Sequence, residues 1–134
     1  MKQKIKTALI SVSDKTDLSK ILKTLNKHKV KIISSGGTYA VIKKLGYACT
    51  EVSAYTGFQE MLDGRVKTLH PKIHAGILHD RSNKKHSKEM NKKKFPSLDL
   101  IIVNFYPFQK IVINTKNNRD IVENIDIGGP TMVR

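Results

Sequence analysis

The residues best suited to chemistry in this 134-residue chain lie in one stretch, Asp63-Gly64-Arg65-Val66-Lys67-Thr68-Leu69-His70-Pro71. The stretch has neither helical nor strand periodicity and is bounded by a glycine and a proline, which predicts a shaped loop. Arg65 can clamp an anion bidentately and Lys67 offers a mobile point charge, while Thr68 and His70 add a hydroxyl and an imidazole. The loop therefore predicts a pocket for a small anion whose chemistry moves protons, with a solvated basic loop as the alternative.

Two other turns have the composition of phosphate-binding turns. Ser35-Gly36-Gly37-Thr38 lies between a predicted strand and a predicted helix, where glycines admit an oxyanion and the helix N-terminus offers free N–H groups. Ser13-Asp14-Lys15 follows the first predicted strand, and Ser13 and Asp14 also offer cap chemistry for the next helix. Because Ser, Gly and Thr are common at caps, either turn alone could be an ordinary connection. Both turns together with the Arg65 and Lys67 loop predict a phosphate pocket.

The first 52 residues predict the elements that must position these side chains. Nearly continuous apolar runs at 7–12, 30–33 and 48–52 predict strands, and the first is typical of a strand buried on both faces. Amphipathic stretches between them predict two helices. The order β-α-β-α-β predicts an α/β fold with three layers, an open and mostly parallel sheet with helices on both faces. Such sheets bind ligands at the carboxyl ends of their strands, where both turns lie.

Two helical segments and a strand are predicted next along the chain. A turn leads into a short helical segment around 59–62, and Pro71 can start a helix that reaches Leu78. Residues 98–103 form the clearest predicted strand, which delivers Asn104 and Tyr106 to the carboxyl edge of the sheet.

The last part of the chain predicts a connection at 109–118 and a short helical turn at 121–124. A final helix is predicted from Thr131 to Arg134, preceded by Asp126 and a Gly-Gly-Pro sequence. Phe105 and Phe108 are predicted to be core residues. A chain that stops as a helix begins is expected to be a fragment or a truncated product.

Composition predicts a globular protein, with 39% hydrophobic and 27% charged residues. No apolar run approaches the roughly 18 residues of a membrane span, and no secretory cleavage site follows the basic start of the chain. The single Cys49 lies in an apolar-leaning run and is predicted to be a buried structural thiol. These features predict a cytoplasmic protein without a membrane partner.

A formal net charge of +14 attracts nucleic acid without sequence selectivity. Much of the excess lies in the lysine-rich segment 84–94, which has no interleaved aromatic residues for base stacking. We interpret this segment as a solvated helix or loop, with no specific nucleic-acid partner and nucleic-acid binding as the minority alternative. The five histidines form no HxxxH pair on a confident helix, so no metal site is predicted.

Five sequence motifs carry a resemblance to a known family. They are ISVSDKT at 10–16, SGGT at 35–38, TGFQEMLDGRVKTLHPKIHAGIL at 56–78, VNFYPF at 103–108 and ENIDIGGPT at 123–131. On these motifs, in this order, the chain resembles the N-terminal IMP cyclohydrolase domain of bifunctional AICAR transformylase/IMP cyclohydrolases of purine synthesis. The resemblance covers residues 1–134 and implies the methylglyoxal-synthase-like fold, a phosphate-binding α/β domain.

The resemblance implies an enzyme that closes a formamido-imidazole-carboxamide ribonucleotide to inosine monophosphate and water. No cofactor or metal is implied for this step, and folate would belong to the transformylase domain, which this chain lacks. The implied catalytic residues are Lys67, Tyr106 and Asp126. The implied substrate-binding residues are Ser13, Asp14, Lys15, Ser35, Gly36, Gly37, Thr38, Arg65, Val66, Thr68, Val103, Asn104, Ile127 and Gly128.

The same resemblance suggests roles and limits. Lys67 would stabilise charge on the formyl oxygen, Asp126 would accept or orient the amide proton, and Tyr106 would relay protons. The family usually has glycine where this chain has Asp17, which puts the geometry of the first turn in question. Its pattern also continues past Arg134 to a further lysine, so reduced turnover is expected. A homodimer is the expected assembly.

Three alternatives remain open from the sequence. A non-catalytic regulatory module of the same fold would bind nucleotide or phosphate at the same turns. A basic nucleic-acid-binding protein would bind sequence-selectively at high salt. Methylglyoxal synthase is the weaker enzymatic alternative, because DGRVKTLHP and IDIGGPT belong to the cyclohydrolase pattern.

Overall fold

One four-stranded parallel sheet organises the fold in the computed structural model, which describes residues 4–133. Its strands are β1 (Thr7–Ser11), β2 (Lys31–Ser34), β3 (Thr50–Glu51) and β4 (Leu100–Val103), and their order is β3-β2-β1-β4. β1 is central, since Ala8 pairs with Ile32 on one side and Leu100 on the other. A parallel strand covered on both faces needs apolar side chains on both faces, which explains the continuous apolar run of β1.

Helices connect and cover these strands. Within the described residues they are α1 (Leu18–Lys27), α2 (Gly36–Lys44), α3 (Val52–Thr56), α4 (Pro71–Leu78), α5 (Lys84–Lys93), α6 (Phe108–Asn114), α7 (Asn118–Glu123) and α8 (Gly128–Val133). No helix within residues 4–133 is long and apolar enough to cross a membrane.

Two buried clusters lie on opposite faces of the sheet. Ala8 and Ile10 of β1 pack with α1 and α2 residues such as Leu22 and Ile42. Leu9, between them in β1, packs in a second cluster with residues of α3, α4 and α8, among them Ile73. Successive strand residues point to opposite faces, so β1 supplies both cores. The predicted three-layer α/β fold with a parallel sheet is confirmed.

Several predicted boundaries are confirmed or moved by a few residues. The helix from Pro71 to Leu78 has the bounds that the sequence predicts. The lysine-rich segment forms the exposed helix α5, which buries only Met90. The third strand is shorter than the predicted 48–52, because Val52 already begins α3.

Other predictions are wrong. No helix forms at 59–62, because α3 ends one turn earlier at Gly57, which takes φ +76°. The predicted connection at 109–118 is mostly helix α6, which buries none of its residues. The last helix begins at Gly128 instead of Thr131, and Arg134, at its predicted end, lies outside the described residues.

Side-chain expectations also changed. Phe105 and Phe108 are 48% and 40% exposed, so the prediction that they are core residues is wrong. Cys49 is half-buried against the first cluster. Ser13 and Asp14 do not cap α1, whose N-cap is Asp17.

Candidate functional site

The predicted basic loop is held in an uncommon backbone conformation. Leu62, Asp63 and Gly64 follow one another at φ +54°, +55° and +82°, in the left-handed region that non-glycine residues rarely occupy. An antiparallel bridge closes the turn, in which Met61 N donates to Val66 O at 3.0 Å and Val66 N donates to Met61 O at 3.2 Å. The loop is therefore a shaped turn, as predicted, with Arg65 and Lys67 next to its bridge.

His70 ends this loop as a helix cap. Its Nδ1 accepts a hydrogen bond from the backbone N–H of Lys72 at 3.1 Å, and Pro71 occupies the first turn of α4. A cap acceptor satisfies one of the free N–H groups at a helix start, and proline fits the first helical position. His70 thus positions the loop against α4.

Two ammonium groups lie at the N-terminus of α2. A Cβ added at Gly36, which has φ +53°, would lie 3.1 Å from Lys67 Nζ, and one added at Gly37 would lie 3.9 Å from Lys15 Nζ. Ser35, the N-cap residue, makes no side-chain cap hydrogen bond. Helix N–H groups and two cations from separate segments together form an arrangement suited to an oxyanion.

Val12 joins the two predicted phosphate turns. Thr38 Oγ1 donates to Val12 O at 2.9 Å and accepts from Val12 N at 3.2 Å. Lys15 Nζ donates to Val12 O at 3.1 Å and to Ser13 O at 3.0 Å. Thr38 therefore fixes the two turns to each other, while Lys15 closes its own turn. Contacts of either side chain with phosphate stay predictions.

Asn104 fastens the end of β4 to the first turn. Its Oδ1 accepts from Ser13 N at 2.5 Å and Asp14 N at 3.1 Å, and its Nδ2 donates to Asp14 O at 2.7 Å. The amide matches two backbone donors and one acceptor, a pattern that an ionised carboxylate cannot make because it has no donor. Asn104 thus positions the turn that carries Lys15.

Asp17, which replaces the usual glycine of the family, adopts the backbone conformation that a glycine would allow. Asp17 takes φ +59° and ψ 9°, a left-handed conformation that Asp tolerates better than most residues. Asp14 turns inward on its own segment, where Oδ1 accepts from Thr16 N and Oγ1. Hydrogen bonds from Thr16 lower the pKa of the Asp14 carboxyl.

Asp126 caps the last helix and faces the site. Its Oδ1 accepts from Gly129 N at 2.9 Å. A Cβ added at Gly129 would lie 2.8 Å from Asp126 Oδ2, and one at Gly128 would lie 2.8 Å from Thr68 Oγ1. The two glycines therefore let the carboxylate and the hydroxyl approach the start of α8 closely.

Arg65 forms an ion pair with Glu123, the last residue of α7. Its Nε donates to Glu123 Oε1 at 3.1 Å and its Nη2 donates to Oε2. The hydrogen bond between them raises the pKa of the Arg65 guanidinium and lowers the pKa of the Glu123 carboxyl, to which the charge of Arg119 also contributes. This pair joins two segments that are 58 residues apart.

These groups surround one cavity of about 960 Å³. Most of the predicted site residues line it, namely Ser13, Lys15, Ser35, Gly37, Thr38, Arg65, Lys67, Thr68, Asn104, Tyr106, Asp126, Ile127 and Gly128. Asp14, Gly36, Val66 and Val103 are not part of the lining, so their substrate contacts stay predictions. Tyr106 is 45% exposed.

Sequence reasoning missed several lining residues. Arg119 and Asn118 lie in α7, a segment that the sequence predicts only as a connection and a helical turn. Glu123 lies in the ENIDIGGPT motif, so this motif was the signal from which its place in the site could have been predicted. The described residues contain no cluster of three or more His, Cys, Asp or Glu that could hold a metal ion.

The cavity is cationic at one end and mixed in charge elsewhere. Lys15 and Lys67 lie at the α2 N-terminus, and Arg65 and Arg119 add two further cations to the lining. Asp126 provides a carboxylate in the same cavity. This arrangement can hold a phosphorylated ligand and place a proton acceptor beside it.

Comparison with known proteins gives relatives of two kinds. A family model described as MGS-like domain matches residues 17–131. Two curated relatives, both named bifunctional purine biosynthesis protein PurH, come from Leptospira biflexa serovar Patoc, strains Patoc 1 / Ames and Patoc 1 / ATCC 23582 / Paris. Each is 52% identical over 131 residues, which span 97% of this chain and 26% of the relative. The crystal structure of ForH matches with a TM-score of 0.80 at 26% identity, over 96% of this chain and 65% of that one.

Proposed function

Because the chain belongs to the MGS-like domain family, we propose that its cavity binds a purine-pathway nucleotide and closes its ring. The proposed activity is that of an IMP cyclohydrolase in purine biosynthesis. The name of the PurH relatives supports the pathway. The observation that carries the proposal is one cavity that combines an oxyanion site at α2 with Lys67, Tyr106 and Asp126.

The proposed reaction is intramolecular. The carboxamide nitrogen of the formamido-imidazole-carboxamide ribonucleotide attacks the formyl carbon, so a C–N bond forms and the formyl oxygen gains negative charge. The carboxamide nitrogen gives up one proton, and the formamide nitrogen gives up a second as the C=N bond forms. The formyl oxygen receives both protons, its bond to carbon breaks, and it leaves as water. Holding the two groups together supplies much of the acceleration, since orientation can be worth about 7–11 kcal/mol in ideal cases.

Each proposed catalytic residue has a task that its surroundings allow. Asp126 uses Oδ1 to cap α8, so Oδ2 remains to accept the amide proton. Tyr106, at the end of the segment that follows β4, carries a phenol that can relay protons to the departing oxygen. Lys67 supplies a cation for the developing charge.

The position of Lys67 is compatible with two tasks, binding phosphate or stabilising the formyl oxygen. Its ammonium lies beside Gly36, at the end of the cavity where we propose that phosphate binds. A lysine that only holds phosphate binds the ground state and the transition state equally, and its loss raises KM. A lysine that stabilises the formyl oxygen acts in the transition state, and its loss lowers kcat.

Ultraviolet monitoring of ring closure tests the proposal. We expect Lys67→Ala to lower kcat by about 10²–10³-fold, the usual effect of losing one transition-state donor. Lys88→Ala removes the same charge from the exposed helix α5 and serves as the control. A change confined to KM would assign Lys67 to the phosphate.

The other outcomes separate the competing functions. Saturable binding of inosine monophosphate without ring closure would contradict the enzyme and support a regulatory module. Absence of both binding and turnover in the folded chain would overturn the proposed function. Sequence-selective nucleic-acid binding at high salt would favour the alternative of a basic nucleic-acid-binding protein.

A further inference from the structure

The Arg65–Glu123 ion pair lies in the cavity and has no task in the proposed chemistry. Both residues line the cavity, and their side chains are 59% and 51% exposed. An exposed ion pair contributes little to stability. Its bidentate geometry, in contrast, fixes the plane of the guanidinium, because two parallel N–H···O contacts remove its rotation.

The pair leaves most of Arg65 available to a ligand. The guanidinium has five N–H donors, and Glu123 takes one from Nε and one from Nη2. The second Nη2 proton and both Nη1 protons remain. Because the Glu123 carboxylate binds one edge of the guanidinium, the other edge remains available to a ligand.

Both ends of the pair are attached to ordered backbone. Arg65 lies in the bridged turn, where its own N–H donates to Leu62 O at 3.1 Å. Glu123 ends α7, whose N-terminus is capped by Asn117 through a hydrogen bond from Arg119 N at 3.0 Å. The orientation of the guanidinium is thus set by two segments that meet only in the folded chain.

We propose that Glu123 is a positioning residue, which holds Arg65 oriented for the anionic nucleotide of the proposed function. The proposal rests on that function and adds a residue that acts on the substrate through Arg65. The lowered pKa of Glu123 agrees with a carboxylate that stays ionised at neutral pH. Pre-orientation reduces the entropy lost when Arg65 binds a ligand.

The opposite role would be competition, in which Glu123 occupies Arg65 until an anion displaces it. The two roles differ in the sign of a mutational effect. Removing a negative charge from a cavity favours anion binding by electrostatics alone, and competition adds to this gain. Positioning instead predicts that removing Glu123 loses more binding affinity than this electrostatic gain returns.

Binding of inosine monophosphate by calorimetry provides the test. We expect Glu123→Gln to weaken binding by about tenfold through lost pre-orientation, and Glu123→Asp to recover part of it. Asp120→Asn is the matched control, since it removes the same charge from α7 at a residue outside the cavity lining. In the Arg65→Ala background, Glu123→Gln should no longer weaken binding, and only the electrostatic gain from removing its charge should remain. Unchanged or tighter binding by Glu123→Gln would overturn the proposal.

A second measurement keeps this inference separate from the proposed function. The chain has four arginines, so Arg65 Nε–Hε can be assigned by nuclear magnetic resonance with Arg65→Lys. We expect an ordered signal in the free protein that Glu123→Gln broadens and Asp120→Asn does not. If the wild type shows this ordering but binds no nucleotide, the proposed function fails, and with it the ligand assigned to the pair. If the free wild type shows no ordering, the positioning role fails while the proposed function stands.

Discussion

Gly129→Ala tests how the start of α8 holds the Asp126 carboxylate. Gly129 is buried, and an added Cβ would lie 2.8 Å from Asp126 Oδ2 and 2.9 Å from Phe105 Cδ1. Since real Cβ atoms essentially never approach so closely, the carboxylate must move. Moving it breaks the hydrogen bond from Gly129 N.

The size of the effect follows from three contributions. Overpacking costs about 1–3 kcal/mol and loss of a helix cap about 0.5–2 kcal/mol, while alanine in place of a helical glycine returns about 0.5–1 kcal/mol. Together these give a net destabilisation of about 0.5–4.5 kcal/mol. An unfolding entropy of about 2.1 cal/mol/K per residue over 134 residues converts this to a melting temperature lower by roughly 2–16 °C.

Thermal unfolding followed by circular dichroism measures this change. Gly37→Ala is the control for stability, because its Cβ would meet only Lys15, with Nζ at 3.9 Å, and it should melt no lower than the wild type. Asp126→Asn keeps an oxygen that can cap α8 but is no longer a base. It should melt close to the wild type and still lose ring closure. If Gly129→Ala melted within 1 °C of the wild type, roughly 0.3 kcal/mol, the packing argument would be refuted.

Three further predictions concern stability and reactivity away from the cavity. Asp17→Gly should raise the free energy of unfolding, measured in urea, by about 0.5–1 kcal/mol, because glycine adopts φ +59° without strain. Asp17→Ala should lower it, and an equal loss of stability in Asp17→Gly would contradict this reason. Burial tends to raise the pKa of Asp99, but backbone N–H groups at the start of β1 and the Arg81 guanidinium hold it below its ordinary value of 3.8. Asp99→Asn should therefore lower the free energy of unfolding by about 1 kcal/mol above pH 4. The difference in stability between the variant and the wild type should shrink as the pH falls below that value, and a pH-independent difference would exclude this cause. Burial raises the pKa of the Cys49 thiol to about 11, which lowers its thiolate fraction at pH 8. Ellman's reagent should therefore react roughly 90–240-fold more slowly with the native chain than with the urea-unfolded chain, and equal rates would count against this burial.

The fold could be predicted largely from local patterns. Apolar runs and amphipathic stretches report burial directly, because side chains alternate across a strand and repeat every 3.6 residues in a helix. This predicted β1, β2 and α4 closely. It failed at α6, where an apolar stretch forms a helix that buries none of its residues, and at 59–62, because Gly57 ends α3 before that segment.

The candidate site divides in the same way. The glycines, the lysines and the Asp126 motif are recognisable in the sequence because each needs a particular residue type for close approach or charge. The bonding of Asn104 to Ser13 and Asp14, across about 90 residues, has no local signal. Which atoms remain for a ligand depends on such bonds.

The loop from Asp63 to Pro71 depends on both its local sequence and its tertiary contacts. Its sequence alone determined an irregular, cationic turn, because glycine, proline and closely spaced charges exclude regular structure and favour an anion. Only the tertiary structure decided that Lys67 lies beside Gly36 and that Arg65 is held by Glu123. The physical reason is that backbone conformation depends on neighbouring residues, whereas a side chain's partner depends on which distant segments the packed core brings together.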